Sequence, residues 1–306
     1  MAVRQVRVQI NGAWTTLNLN SSTGKYEATI AAPSITSFNR SGGYYPVTVE
    51  ATDMAGNITT KTDTDPTLGE ALKLRVKEVT KPVITIISPS AGSYLTNGSA
   101  VIKVQLRDET NGSGIAISTF KLLMNGTTYT NTSSGMSVSI VSGGYDITFT
   151  KTLSDGTYDI KVDVSDNDGN VAISKYLNFI VDTVPPTLTI TSPVESTVYT
   201  NQSTINIVGK TTDLTSGSVK VTITNGDDLY KGILLDHEGN FGESVTLKNG
   251  TNTIVIRATD AAGKYSEVTR TVILDTVAPT VTSVTITPNP VNVGASYKIS
   301  IDVTDV

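Results

Sequence analysis

The sequence predicts an all-β protein made of tandem two-sheet sandwiches. Three observations carry this: a repeat of about 100 residues, short strands of period two, and Asn-Gly turn signals between them. The repeat is set by three superposable stretches, "GYYPVTVEATDMAGN" (Gly43–Asn57), "GTYDIKVDVSDNDGN" (Gly156–Asn170) and "GTNTIVIRATDAAGK" (Gly250–Lys264). In each, an Asp stands eight residues after a fixed position: Tyr45 to Asp53, Tyr158 to Asp166, Asn252 to Asp260. The residues between alternate in polarity, as in Ile160, Val162 and Val164, which is the pattern of a half-buried strand.

The other elements follow in order. Upstream of each strand lies an Asn-Gly pair, Asn11-Gly12, Asn125-Gly126 and Asn225-Gly226, suited to the two positive-φ positions of a type I′ hairpin. Downstream, "EVTKPV", "DTVPPT" and "DTVAPT" place an acidic residue shortly before a proline, at Glu78, Asp182 and Asp275. These seams divide the chain into 1–80, 81–184, 185–277 and 278–306. Each complete unit has the size and rhythm of a seven-stranded sandwich. The first unit has only ten residues before Asn11, so it lacks its first two strands. Residues 278–306 supply only the first two strands of a fourth unit. Open edges invite strand addition, which makes copies of the same chain candidate partners. Proline at the seams restricts the backbone, so the sandwiches are expected to run end to end with stiff junctions. "TLGEALKLRV" (Thr67–Val76) is the nearest approach to a helical pattern and suits either a short helical turn or a strand.

Composition narrows the function. The chain has 306 residues, a formal charge of −5 and no cysteine. It has no basic patch, which argues against nucleic acid and anionic membrane. Without Cys there is neither a disulfide framework nor a thiolate metal site. No stretch reaches the ~18 apolar residues of a membrane span. "MAVRQVRVQINGAW" lacks the apolar core of a secretory signal.

The stretches "ATDMAGN", "VSDNDGN" and "ATDAAGK", each followed by an acidic seam and proline, resemble bacterial and phage immunoglobulin-like repeats. The resemblance covers nearly the whole chain and implies tandem Ig-like sandwiches. Such repeats occur in bacteriophage tail and virion proteins, in adhesins, and as accessory modules of secreted enzymes. Together with the Met start and the missing signal, the resemblance implies a non-enzymatic structural component of a phage virion. That component would be made in the host cytoplasm and would contact other virion proteins or a host surface glycan. The alternatives are the stalk of a bacterial cell-surface adhesin or an accessory module of a carbohydrate-active enzyme. "DGTYDI" resembles a tyrosine corner, with the Tyr158 phenol bonding back to nearby backbone.

Candidate sites are few. Asp166, Asp168 and Asn170 offer the oxygen ligands that calcium takes, and Asp182 could approach from the seam, as in related adhesin repeats. The same residues also suit an Asx-turn. Lys264, at the position of Asn170, argues against a cation in the third unit. Trp14, Tyr129 and Tyr230 follow the three hairpins and could stack on sugar rings or cover a sheet. His237 is the only histidine and lies in a polar stretch with no partners for a triad. The carboxylate neighbours Asp63/Asp65 and Asp227/Asp228 do not establish a hydrolytic pair across a cleft. No catalytic residue is assigned.

Overall fold

The computed structural model describes residues 2–305; Met1 and Val306, the outermost residues of the two terminal segments, lie outside them. Among the described residues there are only strands and three short 3-10 segments. The chain divides into two compact units, Met1–Val181 and Asp182–Val306.

The first unit begins with a single sheet. Its strands are ordered Lys25–Glu27, Ala13–Asn20, Val3–Ile10, Tyr45–Asp53 and Ile58–Lys61, and Lys73–Leu74 also pairs with Tyr45–Asp53. Asn11 (φ 49°) and Gly12 (φ 83°) form the predicted hairpin turn, with Ile10 opposite Ala13. Of the apolar residues in this segment only Val8 and Tyr45 are buried, because no second sheet covers its face among the described residues. "TLGEALKLRV" becomes a 3-10 turn, Gly69–Leu72, and then a two-residue strand.

The rest of this unit is a two-sheet sandwich. One sheet runs Thr127–Tyr129, Lys121–Met124, Gly156–Asp163, Lys175–Val181 and Ser93–Leu95; the other runs Met136–Val141, Gly144–Thr152, Ser99–Arg107 and Val83–Ser88. Along Ser99–Arg107, Ala100, Ile102, Val104 and Leu106 are buried and the residues between face outward, as period two requires. The core closes on Phe120, Phe149, Phe179, Leu122 and Val162.

The second unit repeats this plan. One sheet holds Thr187–Ser192, Thr204–Thr212 and Asn240–Thr246. The other holds Thr197–Thr200, Tyr265–Leu274, Gly250–Asp260, Val219–Asn225 and Asp228–Tyr230. Ile207, Ile223, Ile254, Ile256 and Val245 fill the space between them. The third hairpin departs from expectation. Asn225 pairs with Asp228, so the two loop residues are Gly226 (φ 59°) and Asp227. A glycine at the first loop position is the signature of a II′ turn. Asn225 is withdrawn from the turn because its side chain is buried and bonded to Asn252 and to the Thr246 carbonyl. The last element is an exposed hairpin of Thr280–Thr287 and Lys298–Thr304.

Candidate metal centre

The acidic loop of the second sandwich is saturated by its own amides. Asp166 Oδ1 accepts the Asn170 backbone N–H and Oδ2 accepts the Asn170 side-chain amide, both at 2.8 Å. Asp53 with Asn57 and Asp236 with Asn240 make the same turn. There the Asn side chain and then backbone N–H groups hold both carboxyls below the usual range. Asp168 acts as a tie within its unit. Its Oδ2 accepts the Thr36 hydroxyl and, at 3.0 Å, the Glu78 N–H, while its carbonyl accepts Lys77 Nζ at 3.1 Å. Asn170 Nδ2 reaches the Glu78 carbonyl as well, at 3.2 Å. The loop thus holds the seam to the sandwich through hydrogen bonds.

Asp182 belongs to a different group. It lies with Asp213 and Asp260, each offering one carboxylate oxygen, all within 4.8 Å of one another. Asp182 is 0% exposed and neither of its oxygens has a hydrogen-bond partner; Asp260 is 6% exposed and its Oδ2 has none. Asp213 directly follows strand Thr204–Thr212 and closes an Asx-turn, accepting from the N–H groups of Thr215 and Ser216. Burial pushes its carboxyl up, but those bonds and the Ser216 hydroxyl outweigh it and hold the pKa below the ordinary value.

The first unit holds a counterpart, Glu78, Asp108 and Glu109, whose oxygens also lie within 4.8 Å of one another. Glu78 is the seam residue, as Asp182 is, and Asp108 directly follows strand Ser99–Arg107. One oxygen of each is buried without a partner. Glu78 and Glu109 face a cleft of about 400 Å³ that Thr36 and Asn111 also line. Asp108, Glu109 and Asp213 escaped the sequence reading. A signal for two of them was present: "QLRD", "KTTD" and "DVTD" each place an Asp directly after a strand, at Asp108, Asp213 and Asp305.

Burial first, and then the neighbouring Glu109 carboxyl, push the Glu78 pKa above its ordinary 4.5. A carboxyl whose pKa rises on folding favours the protonated native state. Its contribution is present at low pH and is lost as pH rises from the ordinary Glu value through the raised folded one. In chelator, Glu78→Gln should therefore gain on the parent as pH climbs through that window. Urea unfolding followed by the fluorescence of Trp14, the only Trp, measures it. A parent–variant difference that stays flat with pH would contradict the raised pKa.

The three aromatics stand on three different sheets. Trp14 lies on the first sheet, 39% exposed, with the Arg7 guanidinium 4.3 Å from its ring centre. Tyr129 packs on the sandwich core of the first unit, 4.7 Å from the Phe149 ring centre. Tyr230 packs on the core of the second unit and its hydroxyl accepts the Thr246 N–H at 3.0 Å. The His237 side chain is 90% exposed, with Glu238 3.8 Å away.

Two family models match adjacent stretches of the chain. One, described as a bacterial Ig-like domain, matches residues 97–183; the other, described as glucodextranase, domain B, matches residues 186–276. A PII-type proteinase of Lactococcus lactis subsp. cremoris is 29% identical over 185 residues, covering 51% of this chain and 9% of the proteinase. A serine-rich adhesin for platelets of Staphylococcus aureus (strain MSSA476) is 28% identical over 229 residues, covering 72% of this chain and 9% of the adhesin. The chain thus spans under a tenth of the length of these relatives. Among solved structures, a three-domain fragment of titin (I67–I69, an E-to-A variant) is 13% identical with a TM-score of 0.44, over 88% of this chain and 87% of that one. The strand pairing and the bacterial Ig-like match define the class: a tandem array of Ig-like domains.

Proposed function

We propose that the chain is a non-catalytic structural segment of a bacterial cell-surface protein, a spacer of adhesin type. The observation that carries this reading is the similarity to the serine-rich adhesin over 229 residues. The fold is consistent with it. Each sandwich hides its apolar residues in its own core, and the Asp166–Asn170 loop fastens one seam with hydrogen bonds. A spacer needs stiffness at its joints and cores that survive outside the cell, which both features supply. The adhesin-stalk expectation is therefore preferred here over the virion one. A second reading, an accessory module beside a carbohydrate-active domain, draws on the match of residues 186–276 to glucodextranase, domain B.

Antibody raised against residues 81–277 should label intact cells of the producing bacterium, and mild external protease should remove the label. Label confined to purified phage particles would overturn the surface reading and restore the virion one. Antigen found only in the culture medium, bound to a glucan resin, would favour the accessory module instead.

A further inference from the structure

The buried carboxylates of the second unit have no counter-charge. Asp182 and Asp260 are both more than nine-tenths buried, and three carboxylate oxygens stand within 4.8 Å of one another. Among the described residues no ion pair reaches Asp182, Asp213 or Asp260. Both Asp182 oxygens and Asp260 Oδ2 lack any partner. Burying a carboxylate without a compensating charge is strongly unfavourable, so two of them beside the half-buried Asp213 call for a cation.

The geometry favours a cation. An ion that takes oxygens at about 2.4 Å holds any two of them within about 4.8 Å, and no pair of the three stands farther apart than that. The donors are all carboxylate oxygens, hard ligands that suit calcium rather than zinc or copper. Asp213 also lines a cleft of about 420 Å³ with Thr212, Gly217 and His237, which provides an entry path.

The repeat explains which residues were selected. In both units the seam acid and the strand-ending Asp take part: Glu78 with Asp108, Asp182 with Asp213. The third member differs. In the first unit the Asn170 amide already bonds Asp166 Oδ2, and Glu109 stands in the group instead. In the second unit Lys264 replaces that Asn. Only its backbone N–H reaches the Asp260 carboxylate, through Oδ1 at 2.8 Å, and Oδ2 is left without a partner. The lysine that argued against a cation is the substitution that frees the third ligand.

We propose that Asp182, Asp213 and Asp260 bind one divalent cation of the calcium class, joining the seam residue to its own sandwich. The ligand set lies outside the Asp166–Asn170 loop, whose carboxylates are spent on hydrogen bonds.

Calcium bound per chain, measured by equilibrium dialysis of the chelator-treated full chain, tests this. Asp182→Asn and Asp260→Asn should each bind one calcium fewer than the parent, whereas Asp168→Asn should bind as many as the parent. Calcium should also slow hydrogen exchange in strand Gly250–Asp260 of the parent, and should not do so in the first two variants. Exchange in chelator checks their folding. An Asn there removes a buried charge, so protection should be no lower than in the parent. Should one variant fail to fold, the other decides. An equal number bound by parent and folded variant, zero included, overturns the proposal.

Discussion

Phe149→Ala is expected to cost the second sandwich about 3–5 kcal/mol, the range for deleting a fully buried aromatic ring. Phe149 is 0% exposed and sits on strand Gly144–Thr152, opposite Ile102 on one side and Met136 on the other. Its ring meets Tyr129 at 4.7 Å and a tilt of 42°. The loss combines the apolar surface returned to water with the cavity left between two sheets that cannot close on it. Small domains are stable by only about 5–15 kcal/mol, so this single change removes a large share. The comparison variant is Ile140→Ala on the neighbouring strand, where Ile140 is 82% exposed. That change should stay within about 0.5 kcal/mol. Hydrogen exchange of strands Ser99–Arg107 and Gly156–Asp163 reads both. A Phe149→Ala loss as small as that of Ile140→Ala would mean that the two sheets do not share this core.

What could be read in the sequence depended on the range of the interaction. The strand at Ser99–Arg107 was legible because alternation is written into consecutive residues. So were the turns at Asn11-Gly12 and Asn125-Gly126, where the dipeptide itself supplies the positive φ. The same dipeptide at Asn225-Gly226 misled, because the Asn225 side chain answers to Asn252 across the sheet and the loop shifts by one residue. The acidic loop was legible in part, as the Asx-turn it forms. Spacing showed how many oxygens Asp166, Asp168 and Asn170 offer, but not that Asn170 and the seam already consume them. The carboxylates that gather in the second unit are far apart in the chain. Asp182, Asp213 and Asp260 meet only once the strands have paired, and their common feature, position in the repeat, needed the strand ends to be aligned as well as the loops.

Asn252→Ala should cost about 2–4 kcal/mol, since each buried group left unpaired costs about 1–3 kcal/mol. Asn252 stands where the second sandwich has Tyr158. The Tyr158 hydroxyl bonds the carbonyl of Ser154, four residues upstream, at 2.9 Å, which is the predicted tyrosine corner. Asn252 reaches four residues back in the same way, its Nδ2 bonding the Lys248 carbonyl at 2.7 Å. Its amide also bonds the Gly250 and Val272 carbonyls, and its Oδ1 accepts from the Lys248 N–H at 2.8 Å and from Asn225 Nδ2 at 3.0 Å. A short side chain can do the work of a tyrosine here because it is 3% exposed and bonded to the backbone of Lys248, Gly250 and Val272. Alanine would leave several of them unpaired inside the sheet. Asp at this position keeps the acceptor but loses the donors and adds a buried charge, so Asn252→Asp should be at least as harmful. Tyr158→Phe removes one bond at the surface and should cost only about 0.5–1.5 kcal/mol. Calorimetry of the variants beside the parent ranks them. If Asn252→Ala proves no worse than Tyr158→Phe, the buried amide network does not hold this corner, and packing of Ile254 and Val272 must do so instead.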